Sequence, residues 1–189
     1  MVQKITDTRE KILEAAELLF EGNGFHATGV DEIASKSGVT KRTLYKHFGS
    51  KEGLIEAVLR RHQNQMMDRM RSRVAEIEAE GGKRLLACFD LYQEWFSEPS
   101  FAGCIFIKTL NEFQQCSDRL FAIAAQAKSE LRHYLTGIAK EAGVADPEHL
   151  ARQLQIILEG SIVVAQSGRE SIHIAREIAE RVIAEAFAR

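Results

Sequence analysis

The spacing of the apolar residues restricts the fold of this chain more than any other feature. Apolar residues recur three and four positions apart, as in Ile12, Ala16, Leu19 and Phe20, which is the periodicity of a helix that buries one face. Runs that alternate apolar and polar residues are scarce, and only two prolines interrupt the 189 residues. The sequence therefore predicts an all-α protein.

Segments of turn residues divide the predicted helices. Residues 21–29 (EGNGFHATG) end the first helix, residues 37–39 (SGV) separate the next two, and residues 48–50 (FGS) end the third. Beyond a long fourth helix, five more are expected near residues 83–97, 104–115, 118–142, 147–166 and 170–188. We therefore expect nine helices.

The fourth helix joins the two parts of this arrangement. It is expected to run from about Lys51 past Val74, until residues 80–82 (EGG) stop it. Its buried stripe is expected at Ile55, Leu59, Met66, Met70, Val74 and Ile77. A helix of this length would connect a small N-terminal three-helix unit, residues 1–52, to a larger C-terminal bundle, residues 53–189.

One short segment is strongly basic although the chain is not. Residues 38–51 (GVTKRTLYKHFGSK) hold five basic side chains, and no carboxylate occurs from Ile33 to Lys51. The formal net charge of the whole chain is -2, so any site for a polyanion must be local. A run of cations is more often a solvated helix face, so the charge alone does not decide between the two interpretations.

The pattern around the basic segment predicts a helix, a tight turn and a second helix. Ala34 is small where two helices touch, Gly38 suits a left-handed turn, and Leu44 packs the second helix inward. In a helix-turn-helix motif the second helix enters the major groove of DNA with its N-terminal residues on the base edges. A carboxylate in this segment would face a phosphate, and its absence favours DNA binding over a merely solvated face.

The second helix of the motif divides its side chains between two directions. Thr40 is a suitable N-cap, and it leaves Lys41, Arg42 and Thr43 on the first turn, where backbone N–H groups and the helix dipole favour phosphate. Leu44 and Phe48 lie four residues apart on the inward face. The side chains left to point elsewhere are Tyr45, Lys46 and His47.

The segment FHATGVDEIASKSGVTKRTLYKHFGSKEGLIEAVL resembles the DNA-binding region of the TetR family of bacterial transcriptional regulators. The resemblance covers roughly residues 8–60, and the pattern T-L-Y-x-H-F-x-S-K-E-x-L is its most specific part. GCIFIKTLNEF is similar to the start of the sixth helix in one branch of the family. The resemblance implies a homodimer that binds a palindromic operator, usually represses, and releases DNA when a small molecule occupies the C-terminal domain.

Residues of this chain that match the DNA-contacting positions of the family are expected to contact DNA as well. The resemblance implies phosphate contacts from Tyr45, His47 and Lys51, and contacts to the DNA backbone from Thr28 and Thr40 near helix starts. The candidates for reading bases are Lys41, Arg42, Thr43 and Lys46.

Two residues refine this assignment. Arg42 has the planar fork that suits guanine O6 and N7, so we expect it to read sequence, and a phosphate contact is the alternative. Gly29 stands where many family members have Ser or Thr as the N-cap of the second helix, so a hydroxyl contact is lost there.

The C-terminal part is rich in aromatic and methionine side chains, which predicts a cavity for a small, mostly hydrophobic effector. Any single residue of such a stripe is more often part of a core than of a pocket. The predicted effector-binding residues are His62, Met66, Met70, Phe89, Tyr92, Trp95, Phe96, Phe106, Asn111 and Phe113, with Gln93 as a further polar group.

The last two predicted helices offer apolar faces wider than one intramolecular stripe requires, which marks an interface. Small residues that permit close helix approach are Gly160, Ala165, Ala175, Ala179 and Ala186. The resemblance also puts the four-helix bundle of the dimer here, so we predict a homodimer through residues 147–188.

Two other functional classes are weaker interpretations. Glu130-x-x-His133 and Glu170-x-x-His173 match the pattern of helical di-metal carboxylate oxidases, but they are expected on solvated faces. Cys104 precedes a helix, where the dipole favours a redox-active thiolate, although a packed small residue is the more usual role. No catalytic residue, cofactor or metal is predicted, and we do not expect an enzyme.

The remaining composition indicates the compartment. Nothing at the N-terminus resembles a signal peptide, and no apolar run approaches the roughly 20 residues of a membrane span. The three cysteines form no paired motif, so reduced thiols packed in the core are expected. These features predict a cytoplasmic protein.

Overall fold

The computed structural model describes residues 2–77, 81–168 and 172–188, and within them the backbone forms nine α-helices and no strand. The predicted all-α class is confirmed. The helices are α1 (Val2–Asn23), α2 (Val30–Ser37), α3 (Lys41–Phe48), α4 (Lys51–Ala75), α5 (Gly82–Ser97), α6 (Ile105–Phe113), α7 (Asp118–Glu141), α8 (Pro147–Ser167) and α9 (Ile172–Phe187). None of these helices is long and apolar enough to cross a membrane.

The chain divides into two compact units. Unit 1 comprises residues 1–64 and 104–127, and unit 2 comprises residues 65–103 and 128–189. Both α4 and α7 are therefore shared between units, and α6 belongs to the unit that contains α1, α2 and α3. The expected boundary after residue 52 separates a DNA-binding domain from an effector-binding and dimerisation domain, and it stays a prediction.

Unit 1 has a continuous apolar core. The residues that α1 to α4 bury there include Ile12, Leu13, Ala16, Phe20, Ile33, Leu44, Leu54, Ile55, Val58 and Leu59. Phe25, in the loop after α1, is also buried, with ring contacts to Phe20 at 4.9 Å and to Phe113 of α6 at 5.4 Å. The spacing of three and four residues in these helices thus corresponds to one shared core.

Helix α6 is bonded to the loop between α1 and α2. The Glu112 carboxylate accepts hydrogen bonds from the backbone N–H of Phe25, at 3.0 and 3.1 Å, and from that of His26, at 2.8 Å. Lys108 Nζ donates to the carbonyl of Glu21, near the end of α1. These bonds satisfy backbone groups at a helix end, and they fix the loop that leads into α2.

The turns of the helix-turn-helix motif form as predicted. Gly38 has φ 68° and ψ 28°, and the N–H of Val39 donates to the Ala34 carbonyl at 3.0 Å. Gly49 ends α3 with φ 74°. This left-handed conformation favours glycine, and two such turns set the directions of α2, α3 and α4.

Unit 2 packs α5, α8 and α9 together. The buried residues of these helices include Leu85, Phe89, Tyr92, Phe96, Leu154, Leu158, Ile162, Ala179 and Ile183. An ion pair of 2.7 Å joins Arg176 of α9 to Asp90 of α5, and one of 2.6 Å joins Lys128 of α7 to Glu159 of α8.

The predicted stripe of α4 is wrong at two positions. Met66 and Ile77 are half-buried, whereas the neighbouring Met67 is buried together with Met70 and Val74. Positions 66 and 67 lie seven and eight residues after Leu59, and 3.6 residues per turn bring both close to the same face. Spacing alone therefore could not separate them.

Gly53 gives a stability prediction for the start of α4. A Cβ at this position would lie 2.2 Å from the carbonyl oxygen of Phe48, a backbone atom that cannot move aside. We expect Gly53→Ala to lower the free energy of unfolding by about 1 to 3 kcal/mol, as overpacking does. Urea unfolding followed by circular dichroism measures the change.

The matched control is Gly137→Ala in α7, where a Cβ would have nothing within 4 Å. There the helix propensity of alanine is expected to raise the free energy of unfolding by about 0.5 to 1 kcal/mol. Equal effects of the two substitutions would contradict the steric explanation for Gly53.

Candidate nucleic-acid interface

Helix α3 turns one face to the core and the other to the solvent. Leu44 is fully buried and Phe48 is half-buried, as predicted for the inward face. The exposed side chains of the helix are Lys41, Arg42, Tyr45 and Lys46, whereas Thr43 and His47 are half-buried at the margins. The outward face of α3 therefore carries three cations and a phenol hydroxyl.

The predicted N-cap of α3 is confirmed. Thr40 is extended, with φ -83° and ψ 152°, and its Oγ1 accepts a hydrogen bond of 3.2 Å from the N–H of Thr43. The Thr40 and Thr43 hydroxyls lie 2.8 Å apart, so they also bond each other. The cap starts the helix at Lys41 and directs its first turn outward.

The two cations of the first turn have different surroundings. Lys41 Nζ lies 3.0 Å from a carboxylate oxygen of Asp31 on α2, and this hydrogen bond, with the charge of Asp31, raises the pKa of Lys41. Arg42 forms no ion pair within the described part of the chain. Its guanidinium keeps all its donors for an external partner.

The end of α3 and the start of α4 form a second basic region. His47 is the last residue but one of α3, and Lys51 is the first residue of α4, where the helix dipole is positive. Ser50 Oγ caps α4 by accepting a hydrogen bond of 3.0 Å from the N–H of Gly53. This arrangement can bind an anion beside His47 and Lys51.

Thr28 corrects the expected set of DNA contacts. The residue is fully buried, and its hydroxyl donates to the carbonyls of Gly24 at 2.7 Å and of Leu19 at 3.2 Å. Thr28 therefore stabilises the loop between α1 and α2 instead of contacting DNA through its side chain. Gly29 is the N-cap of α2, as expected, and makes no side-chain bond.

The predicted effector-binding residues are divided between the two units. His62, Phe106, Asn111 and Phe113 belong to unit 1, and Met66, Met70, Phe89, Tyr92, Trp95 and Phe96 belong to unit 2. Asn111 is exposed, which contradicts its expected place in a cavity wall. Phe113 packs against Phe25 and against His26, with a ring distance of 5.2 Å to the latter, in the core of its unit.

The aromatic residues of α5 pack on one another. Trp95 lies 5.0 Å from the ring of Phe101 and 5.6 Å from that of Phe96, and Tyr92 lies 5.8 Å from Trp95. Trp95 itself is half-buried. These rings fill space as a core does, so the aromatic stripe does not by itself outline an empty pocket.

His62 belongs to an ionic cluster that the sequence analysis missed. Its Nδ1 lies 2.6 Å from Glu17 and 3.6 Å from Glu21, and Arg61 forms an ion pair with the other Glu17 oxygen. The ligand atoms of Glu17, Glu21 and His62 lie within 4.8 Å of one another, a set that divalent cations accept. The pair with Arg61 gives Glu17 a structural role without a metal. The signal available in the sequence was the spacing of two glutamates by four residues on α1.

Unit 2 contains a cavity of about 730 Å³ that none of the predicted effector residues lines. Its lining residues are Val74, Ala75, Ile77, Gly81, Gly82, Arg84, Ile138, Glu141, Ala142 and Phe187.

Of the four residues behind the enzyme interpretation, the three that the structure describes do not form a buried metal site. Glu130, His133 and His173 are exposed, as expected, and His173 Nδ1 lies 3.3 Å from Gln93. Glu170 lies outside the described residues.

The three cysteines differ in environment. Cys88 and Cys104 are buried, whereas Cys116 is exposed, which corrects the expectation of three core thiols. Burial, followed by the charge of Asp90, raises the pKa of Cys88 to about 12, so this thiol stays protonated at neutral pH.

Two family models match the chain. Residues 12–58 match the model described as "Bacterial regulatory proteins, tetR family", and residues 81–180 match the "Tetracyclin repressor-like, C-terminal domain". The first match contains α2 and α3, and the second covers more than half of the chain.

Curated relatives and solved structures agree with these models. The chain is 29% identical over 136 residues to the HTH-type transcriptional activator FasR of Mycolicibacterium smegmatis, covering 64% of this chain and 60% of FasR. It is 46% identical over 72 residues to the HTH-type transcriptional regulator LmrA of Bacillus subtilis, covering 37% of this chain and 36% of LmrA. These alignments thus span less than two thirds of each relative.

The fold matches solved structures along nearly its whole length. The TM-score is 0.89 to SCO4454, a TetR-family transcriptional regulator from Streptomyces coelicolor, with 20% identity and 96% of each chain covered. It is 0.84 to the reduced form of E. coli NemR, with 25% identity over 94% of this chain and 97% of that one. These structural matches agree with the family models, and the two models together show that the chain belongs to the tetR family of bacterial regulatory proteins.

Proposed function

We propose that the protein is a dimeric repressor that reads a palindromic operator with α3 and is released by a small, mostly hydrophobic effector. One observation carries the DNA-reading part of this proposal. Lys41 and Arg42 in the first turn of α3 are exposed, and Arg42 has no ionic partner within the described residues. A guanidinium fork in that position suits the O6 and N7 acceptors of guanine in the major groove.

The positioning contacts follow from the same geometry. Tyr45 and Lys46 on the outer face, with His47 and Lys51 at the α3–α4 end, are placed to donate to phosphates on either side of the groove. To contact DNA, the ammonium group of Lys41 must break its ion pair with Asp31 or bond to Asp31 and the DNA together. Arg42 is therefore the principal base reader in this proposal.

Exposed apolar residues on α8 and α9 support dimerisation through the last two helices. They are Ile156, Val163, Val164, Ile174 and Ile178, and 71% of the surface of Ile156 is exposed to solvent. Gly160 lies on the same exposed face of α8 with nothing within 4 Å of a Cβ, so another helix can approach closely there.

The expected interface is corrected in one respect. Ala165, Ala175 and Ala179 are buried within the single chain, so their small side chains serve packing inside unit 2. Ala186 is half-buried. The proposed dimer contact therefore rests on the exposed isoleucines, the valines and Gly160.

Release by an effector is proposed from the match of residues 81–180 to a C-terminal domain described as tetracyclin repressor-like. Activation is the second candidate for the direction of control, because the relative FasR is named a transcriptional activator. Transcription from a promoter that carries a selected operator, measured with and without the protein, distinguishes the two.

Arg42→Ala tests base reading. We expect it to cost about 1 to 3 kcal/mol on the operator and to relax the preference at one base position in each half-site. Selection of bound fragments from random-sequence DNA, followed by anisotropy titrations, measures both effects. Lys51→Ala is the contrasting variant, expected to weaken binding to every duplex with a shallower salt dependence. An equal loss on all sequences for Arg42→Ala would make Arg42 a phosphate contact.

Ile156→Glu tests the dimer. A carboxylate in the centre of a buried apolar contact is costly to desolvate, so we expect monomers at micromolar concentration in light scattering. The matched control is Leu18→Glu on α1, where an apolar side chain is also exposed, at 57%. If both variants remain dimers, the interface lies elsewhere.

Trp95 tests release by an effector, because it is the only tryptophan of the chain and its fluorescence reports on unit 2. A small apolar compound that perturbs this fluorescence should bind more weakly in the presence of operator, by the factor by which it weakens DNA binding. A tenfold effect corresponds to about 1.4 kcal/mol of coupling. A saturating compound that leaves operator affinity unchanged would contradict release through that compound.

A further inference from the structure

Arg9 of α1 lies beside the basic region at the α3–α4 end. Its guanidinium carbon is 5.3 Å from the centroid of the Phe48 ring, and the residue is exposed. The negative face of an aromatic ring attracts a cation, so the Phe48 ring favours this position of the Arg9 side chain. Phe48 is the last residue of α3, and this contact links Arg9 to the recognition helix.

Arg9 and His47 line the same cleft of unit 1, which has a volume of about 390 Å³. Ser50 and Gly53, at the N-terminus of the long helix α4, also line it. A cleft lined by a guanidinium, an imidazole and the start of a helix is suited to a phosphate group.

Two carboxylates at this cleft must be accounted for. Glu56 bonds to Arg60 at 3.0 Å and to Arg119 at 2.6 Å, and although burial opposes its ionisation, these bonds lower the pKa of Glu56 overall. Its charge is thus already matched by two guanidinium groups. Glu52 is exposed in the first turn of α4 and is the remaining negative group.

Arg9 itself has no carboxylate partner within the described part of the chain. The nearby Lys11, in contrast, forms an i,i+4 pair with Asp7 at 2.8 Å. Two residues correspond to about 200° of rotation around a helix, so Arg9 and Lys11 point in nearly opposite directions. Only Arg9 faces the α3–α4 end.

We propose that Arg9 is a further DNA contact, which donates to a backbone phosphate beside the one bound by His47 and Lys51, and that Phe48 is its positioning residue. This inference rests on the proposed docking of α3 in the major groove. It assigns to α1 a part in fixing the register of α3, because a guanidinium bound to the DNA backbone, in addition to Arg42 on a base, limits how α3 can rotate in the groove.

The dependence of affinity on salt tests the proposal. Anisotropy titrations would use a labelled duplex, selected by the wild-type protein from random-sequence DNA, over a series of potassium chloride concentrations. We expect Arg9→Ala to weaken binding roughly tenfold per half-site, as the loss of a charge-assisted hydrogen bond does. The slope of log K against log salt should become shallower by about 0.9 per subunit.

Three variants distinguish a phosphate contact from other roles. Lys11→Ala removes the same charge from the same helix and should leave the slope unchanged. Arg9→Lys should keep the slope, because the charge remains, and lose less affinity than Arg9→Ala. In a Phe48→Leu background the effect of Arg9→Ala should be smaller, because the ring no longer positions the guanidinium.

The possible failures are distinct from one another. An unchanged slope for Arg9→Ala overturns the phosphate contact and leaves the docking of α3 intact. Equal changes for Arg9→Ala and Lys11→Ala would make the effect one of overall charge and would also overturn it. A wild-type protein that binds no duplex would overturn the proposed docking itself. Thermal unfolding of each variant identifies any loss of affinity that comes from loss of fold.

Discussion

An eight-residue helix does not keep its conformation in water without support, and the DNA-reading surface depends on this constraint. Nucleation of α3 requires contacts from outside the helix. Leu44 supplies the apolar contact, and Thr40 supplies the first hydrogen bond at the N-terminus. The cations of α3 remain available to DNA because these inward and terminal residues, and not the cations, hold the helix in place.

Helix α6 belongs to the same unit as α3 and supplies hydrogen-bond partners to the loop that precedes α2. The loop between α1 and α2 exposes backbone N–H groups, and the carboxylate of Glu112 satisfies those of Phe25 and His26. The chain passes between the two units after residues 64, 103 and 127, twice within a helix and once just before α6. Any influence of unit 2 on the reading helix through the covalent chain must therefore travel along α4, α7 or the segment that begins α6.

The sequence predicts the helices well because local chemistry decides where they start and stop. Gly38 and Gly49 adopt the left-handed conformations that only glycine accepts readily, and Pro147 begins α8. Partners distant in sequence were not predictable in this way. Glu112 lies 87 residues from Phe25, and the sequence near either residue contains no pattern that predicts their hydrogen bond. Thr28 was misassigned for a related reason, since a buried hydroxyl bonded to carbonyls has the same sequence signature as one offered to a phosphate.

Charge placement around α3 also bears on specificity. Among the described residues, Asp31 is the one carboxylate bonded to a cation of α3, and its carboxylate oxygen lies 3.0 Å from Lys41 Nζ on an exposed surface. A phosphate that approaches Lys41 meets this carboxylate as well, so the attraction of Lys41 for any DNA backbone is reduced. Arg42 has no such neighbour among the described residues, so it breaks no ion pair when it reaches a base edge. In the proposed complex, a repulsive carboxylate beside Lys41 and a guanidinium without an ion pair at Arg42 thus favour operator binding, where base contacts form, over binding that relies on phosphates alone.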